Sequence, residues 1–401
     1  MTQLIKDPPF PHNYASEMLG LDRGRGVHVW DTEGNRYLDL GAGIAVNALG
    51  YGRRDLARIA SRQMRRLIHV SNLYATRPAI DLASLLLSLL NQRMGQYAAV
   101  QFGNSGSEAN EAALKYARLY ARKTRGPGHH KILSLSNAFH GRTMGALSAT
   151  PNKKYSDPFE PLLPGMAVSD FNDVQGLQST LNDEFAAVIV EVVQGEGGLR
   201  VMSAEFAAAL NRLCREHDVI LIADEIQTGL GRTGPLFAGE LVGLKPDILT
   251  LSKPLAGGLP LSATIIPEKI NDLLKPGDHG TTFGGGPVTC SVANHVVNTV
   301  ADPRFLARSS ERGQQLAMLL DGIVAESEEI SERRGTGLLQ GIVVEAEDPA
   351  ARISEIMESC RDQGVLLLRS SSNVVRIAPP LVIGEKELAL GVSALRHALG
   401  L

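Results

Sequence analysis

Cysteine is scarce in this 401-residue chain: Cys214, Cys290 and Cys360 are widely spaced, odd in number, and have no Cys-x-x-Cys or histidine pairing. That excludes a disulfide framework and a structural zinc site, so no metal is expected and a reducing cytoplasm fits. Net charge is scarce too. Forty Lys and Arg stand against 43 Asp and Glu, a balance of −3, so no global positive field draws the protein to nucleic acid or an anionic membrane. Any anion site has to be local. Long apolar runs are missing: Leu85-Leu86-Leu87 and Ala186 to Val190 fall well short of the roughly 20 residues that cross a bilayer. Residues 1–9 show neither a basic segment leading into an apolar one nor an Arg/Ser-rich transit pattern, so export is not expected. Repeats of roughly 20 to 50 residues and low-complexity linkers are also absent.

What is present is a globular composition, 44% hydrophobic and 21% charged, able to bury a large core. At roughly 150 residues per domain, the length accommodates one large domain and a smaller one. The 41 glycines exceed the average share of about 7%, and they gather in short clusters.

Residues 1–45 read as an irregular arm and a small β-unit. Val27 to Trp30, a turn over Asp31 to Asn35, and Tyr37 to Leu40 alternate at period two, the signature of a hairpin. Strand-length apolar runs then alternate with helix-period segments, the pattern of parallel βαβ units. Strands are expected at Ala98–Phe102, Lys131–Leu135, Ala186–Val193, Val219–Ala223 and Asp247–Leu251, with helices at Ser107–Arg122 and Ala204–Glu216. Residues 46–290 thus form an α/β domain, its mostly parallel sheet covered by helices on both faces. Residues 291–401 form a smaller α+β unit, with helices at Val292–Val300 and Pro303–Glu326 and strands at Gly341–Val344, Val365–Leu368 and Val374–Ala378. Because open α/β sheets bind ligands at the C-terminal ends of their strands, the polar clusters there are expected to converge on one crevice.

Three clusters carry chemistry. Phe102-Gly103-Asn104-Ser105-Gly106-Ser107-Glu108 leaves a strand and opens a long helix, where free N–H groups and the positive dipole end suit a phosphate, with Gly106 and Ser107 the best-placed residues. An ordinary helix cap would use the same residue types, but neither the Walker loop nor the dinucleotide fingerprint is matched. In Ile220-Leu221-Ile222-Ala223-Asp224-Glu225, strand geometry sends the two carboxylates to opposite sides, so only one enters the crevice. Lys253, after the apolar strand Leu249-Thr250-Leu251 and before Gly257-Gly258, is a lysine whose amine can be desolvated into a nucleophile toward aldehydes. A lone strand-end lysine more often snorkels to water.

A phosphate-binding helix start, a strand-end aspartate and a strand-end lysine, in that order, are what pyridoxal 5'-phosphate requires. From about Asn13 to Leu381 the chain resembles the class III aminotransferases of fold type I. The resemblance implies pyridoxal 5'-phosphate as cofactor, Lys253 as its Schiff-base and catalytic lysine, and Asp224 as partner of the pyridine nitrogen. It further implies Gln227 facing the ring hydroxyl and Phe139, in Ala-Phe-His-Gly-Arg-Thr, stacking on the ring. Thr282, in His279-Gly280-Thr281-Thr282-Phe283-Gly284-Gly285, would reach the phosphate of a neighbouring subunit, implying a homodimer with shared active sites. Arg142 matches the clamp for a substrate's distal carboxylate and Arg376 the clamp for an α-carboxylate, while Glu196 matches the glutamate that covers the second arginine when an ω-amine is bound. Bidentate guanidinium donors suit carboxylates, although both arginines would also serve in structural ion pairs. Amino and oxo acids are the implied small-molecule partners. Gly43 to Gly50 and His69 to Tyr74 are most similar to members acting on N-acetylornithine with 2-oxoglutarate in arginine biosynthesis. Ornithine, 4-aminobutyrate and N-succinyldiaminopimelate remain open, as does an aminomutase or racemase. The chain departs from the family pattern at Val192 (usually Pro), Pro254 (usually Ala) and Gly286 (usually Asn).

Overall fold

Strand Ile220–Asp224 shows how the large sheet is built. Its side chains alternate at period two: Ile220 and Ile222 pack with Ala113, Tyr116, Ala117 and Tyr120 of the helix Gly106–Thr124, while Leu221 and Ala223 pack with Phe206, Leu210 and Leu213 of the helix Ala204–Glu216. A strand covered on both faces reads as an unbroken apolar run, which is why this one does. In the computed structural model, which describes residues 4–401, the sheet has seven strands in the order Ala99–Gly103, Ser262–Ile266, Ile248–Leu251, Ile220–Asp224, Phe185–Val190, Lys131–Leu135 and Met166–Ser169. Only Ser262–Ile266 runs against its neighbours; the other pairings are parallel.

Four expected strands appear within a residue or two, and the helix Ala204–Glu216 has its expected bounds, capped by Ser203, whose hydroxyl accepts the Phe206 N–H. The fifth, Ala186–Val193, is two strands: Phe185–Val190 belongs to the large sheet, and Val193–Gln194 turns away to pair with Arg200–Val201. Met166–Ser169 and Ser262–Ile266 were not anticipated; the second is separated from its antiparallel neighbour Ile248–Leu251 by the 3₁₀ turn Lys253–Ala256 alone, without the α-helix of a βαβ unit.

The N-terminal hairpin forms as expected, with Val29 opposite Tyr37. Its strand Arg36–Asp39 pairs in parallel with Val365–Leu366, so the chain's two ends share one sheet. The expected strand Val365–Leu368 therefore divides, its remainder, Leu368–Ser370, joining an antiparallel sheet with Val374–Ile377, Leu339–Val344 and Ile330–Thr336. The helix Pro303–Glu326 starts where Asp302 accepts the Arg304 and Phe305 N–H groups, with Pro303 in the first turn where its missing N–H costs nothing.

That helix meets the Ile330–Thr336/Leu339–Val344 hairpin backbone to backbone. A Cβ on Gly313 would lie 2.8 Å from the backbone of Gly337. Gly322, in the same helix, faces open space. We therefore expect opposite signs from one chemical change: Gly313→Ala lowers stability by about 1–3 kcal/mol through overpacking, whereas Gly322→Ala raises it by up to about 1 kcal/mol. Thermal unfolding of the two variants beside the parent checks this, and equal shifts would contradict the packing described.

Candidate active site

The loops leaving the parallel strands enclose a cavity of about 330 Å³, lined among others by Gly106, Ser107, Phe139, Glu196, Asp224, Gln227 and Lys253. The convergence expected from the strand ends is realised: these residues follow five different strands or the segments after them.

Parity decides which carboxylate faces the cavity. Asp224 shares the side of Ile220 and Ile222, whereas Glu225 turns away, where its oxygens accept the N–H groups of Ala238 (2.7 Å) and Gly239 (2.8 Å). Asp224 is 4% exposed and amply partnered. Its Oδ2 accepts from Asn110 Nδ2 and from His140 Nδ1, both at 2.8 Å, and its Oδ1 accepts the Ile226 N–H at 3.1 Å. Asn110 is itself fixed, donating to the His140 carbonyl (2.7 Å) and accepting from Thr250 Oγ1 (2.9 Å). A second buried carboxylate, Glu191, accepts the N–H groups of Phe139 (2.9 Å) and Gly195 (3.2 Å). Burial raises its carboxyl above the usual range.

At the helix start, the cap is Ser105, whose hydroxyl accepts the Glu108 N–H (3.3 Å). Ser107, which could have been that cap, instead accepts the Arg142 N–H through its hydroxyl (3.2 Å). The first N–H groups of the helix, on Gly106 and Ser107, have no intrahelical acceptor and border the cavity. Gly106 lets the turn approach Ile226, because a Cβ there would stand 2.8 Å from Ile226 Cγ2 and force that side chain to move.

Lys253 opens a short 3₁₀ turn, Lys253–Ala256, with Pro254 in its first turn, where no N–H is needed. The turn closes on Gly257 at φ 60. Desolvation lowers the Lys253 amine from 10.5 to about 8; Arg376 adds to the fall, and Glu196, Asp224 and Glu191 oppose it.

Arg376, only 3% exposed, sits behind the cavity. Its Nη1 donates to Glu196 Oε1 (2.6 Å), the Gly195 carbonyl (2.9 Å) and, weakly, Gln227 Oε1 (3.4 Å), while its Nε is buried without a partner. Gly195 leaves no room for a side chain, since a Cβ would lie 1.8 Å from Gln227 Oε1. The segment around it is fastened to the C-terminal sheet: Ser370 Oγ donates to the Gly195 carbonyl (2.7 Å) and accepts the Gly198 N–H (3.1 Å), and the Ser371 N–H reaches the Glu196 carbonyl (3.1 Å).

Besides Arg376, two expected site residues stand outside the cavity. Arg142 is exposed at its rim, next to the cavity-lining Gly141. Thr282 is exposed and lines a separate cavity of about 310 Å³ with Glu108, His279 and Phe283. Within one chain it does not join the others.

The family model described as aminotransferase class-III matches residues 10–399. The chain belongs to the class-III aminotransferases. It is 42% identical to the acetylornithine aminotransferase of Caldanaerobacter subterraneus subsp. tengcongensis and 41% identical to that of Neisseria meningitidis serogroup B, each alignment covering 96% of both chains. Its fold superposes on an amine transaminase from an uncultivated Pseudomonas species, solved in the PLP-bound form, with a TM-score of 0.91 and 32% identity over 97% of this chain and 96% of that one. The substrates are accordingly amino and oxo acids.

Sequence reasoning missed three cavity-side residues of this aminotransferase: Asn110, His140 and Glu191. His140 lies within the quoted Phe-His-Gly-Arg motif and Asn110 one turn into the quoted helix, so position was available, but only the fold shows that both reach Asp224. Asn110→Leu keeps the bulk and removes one donor to the buried carboxylate; we expect it to cost about 3 kcal/mol, the upper part of the range for orphaning a buried polar partner. Urea unfolding measures this, and a loss below about 1 kcal/mol would mean that water replaces the amide.

Proposed function

We propose that the cavity holds pyridoxal 5'-phosphate and that the enzyme transfers the terminal amine of N-acetylornithine to 2-oxoglutarate. The observation that carries the cofactor is the sharing of one cavity by an amine of lowered pKa, a buried partnered carboxylate and two free helix-start N–H groups. These fit the aldehyde, the pyridine nitrogen and the phosphate in turn. When bound, the cofactor supplies an electron sink for the negative charge left on removing a proton beside the amine.

The chain's residues do the rest. Gly106 and Ser107 receive the phosphate, Phe139 covers a ring face, Asp224 keeps the ring nitrogen protonated, and Gln227 meets the ring hydroxyl. Lys253 Nζ would take the proton from the amine-bearing carbon as general base and deliver it, as general acid, to the carbon that receives the amino group, a role its lowered pKa suits near neutral pH. Arg142 receives the carboxylate distal to the reacting amine. Arg376 receives the α-carboxylate of 2-oxoglutarate once Glu196 turns aside; with Glu196 in place its charge is neutralised, and a terminal amine without a neighbouring carboxylate fits. N-acetylornithine is the donor favoured by the two relatives just compared, both acetylornithine aminotransferases.

A second copy of the chain is proposed to complete the site with Thr282. In support, Thr282 stands beside Phe283, which contacts His69 at 5.3 Å between ring centroids, and Asn72 bonds the Thr281 carbonyl (3.0 Å). Leu73 is 86% exposed, Tyr74 71% and Phe283 66%, an apolar patch of the kind a partner covers. No helix among the described residues is long and apolar enough to cross a membrane; the three cysteines are buried and unpaired, which supports the cytoplasm as the compartment.

Four outcomes are expected. Because the neutral amine is the reactive form and its pKa is lowered, cofactor uptake by the apoprotein rises with pH through about 8 and levels off near 9, where an unshifted lysine would still be gaining. Stopped-flow absorbance measures it, and Lys253→Ala should lose roughly 100- to 10,000-fold in turnover. In a donor panel with 2-oxoglutarate, N-acetylornithine has the highest kcat/KM; a preference for ornithine would overturn the donor and leave the class intact. In the same assays Glu196→Ala lowers KM for 2-oxoglutarate by roughly three- to tenfold and raises it for the donor.

A further inference from the structure

Arg142 is held in an unusual way for a carboxylate-binding arginine. Its backbone is anchored: its N–H donates to Ser107 Oγ (3.2 Å), and the short helix that follows is capped by Glu111 Oε1, which accepts from Gly145 (2.8 Å) and Ala146 (3.1 Å). Its guanidinium has no carboxylate or hydrogen-bond partner among the described residues. What it does have is a ring. The guanidinium carbon lies over Tyr155, 3.7 Å from the ring centroid, and 5.5 Å from the centroid of Phe139. Tyr155 stands edge-on to Phe139, with centroids 6.2 Å apart and an interplanar angle of 87°. Tyr155 itself sits in a turn closed by Asn152, whose carbonyl accepts the Tyr155 N–H (2.8 Å) and whose side chain accepts the Lys154 N–H (3.1 Å).

We propose that Tyr155 is a positioning residue for acidic substrates, its ring fixing the Arg142 guanidinium at the rim of the cavity while leaving the charge and every N–H donor free for an incoming carboxylate. The physical logic lies in the choice of support. A long exposed side chain needs something to hold it, and a carboxylate would do so at the cost of occupying the donors and cancelling the charge, as Glu196 does for Arg376. An aromatic face holds the cation through its quadrupole and takes up none of the in-plane N–H groups. Because Tyr155 also abuts Phe139, which lines the cavity, the guanidinium is referenced to the wall where the cofactor ring is proposed to lie. The proposal rests on the reading of Arg142 as the distal-carboxylate clamp.

The test uses the holoenzyme and glutarate, a dicarboxylate that cannot react, with its dissociation constant measured calorimetrically for the parent, Tyr155→Leu, Tyr155→Phe, Arg142→Met and the Tyr155→Leu/Arg142→Met pair. KM and kcat for 2-oxoglutarate are measured alongside. Tyr155→Leu is expected to weaken glutarate and raise KM roughly three- to tenfold with kcat within about twofold of the parent. Tyr155→Phe, which keeps the ring, restores both, and the double variant binds no more weakly than Arg142→Met alone. Parent-like affinity in Tyr155→Leu, a Tyr155→Phe variant as weak as Tyr155→Leu, or additive losses in the double variant would overturn the proposal. Parent-like affinity in Arg142→Met would overturn the reading of Arg142, and the proposal with it.

Discussion

A carboxylate buried at the end of an apolar strand has to be surrounded by donors, and around Asp224 that requirement organises three parts of the chain. Asn110 comes from the helix that begins at Gly106, His140 from the loop carrying Phe139 and Arg142, and the Ile226 N–H from Asp224's own turn. Each donor ties a separate functional element to one oxygen pair. The helix start, the aromatic wall and the rim arginine therefore hold their mutual positions because one charge cannot stay buried without partners. Glu191 repeats the device one strand over, joining the N–H of Phe139 to that of Gly195.

The two arginines show two ways of holding a guanidinium. Arg376 is buried and neutralised by Glu196, so uncovering it leaves a strong local anion site. Arg142 is exposed and propped on rings, its charge already available. Near-zero net charge overall is compatible with both, because under the proposed reading the attraction for acidic substrates is concentrated at these points.

Much of the site was legible from linear patterns. Asp224 and Lys253 follow apolar runs, Gly106 and Ser107 open a periodic segment, and strand parity separates Asp224 from Glu225 without coordinates. The motif-based placements of Gln227, Glu196 and Phe139 fall on one cavity. What was not legible depends on distance in space. Tyr155 sits in the polar stretch Asn152 to Ser156, which has no periodicity, and its nearness to Arg142 follows from how that turn folds back. The break of Ala186–Val193 after Val190 was hidden because both pieces are apolar and buried. Likewise Val365–Leu368 reads as one strand, although its halves pair with different sheets. Apolar character reports burial, and partner choice is set by the rest of the fold.

The bonds between residues 195–198 and Ser370–Ser371 bear on timing. With the Gly195 and Glu196 carbonyls and the Gly198 N–H all engaged by the C-terminal sheet, the backbone beneath Glu196 is not free to travel. Only side-chain torsions are left to it. Rotamer changes of that kind take picoseconds to nanoseconds, where loop or lid movements take nanoseconds to milliseconds or longer. On the proposed reading of Glu196 as the cover of Arg376, alternation between an amine donor and a dicarboxylate acceptor would then need a side-chain rotation and no movement of this backbone.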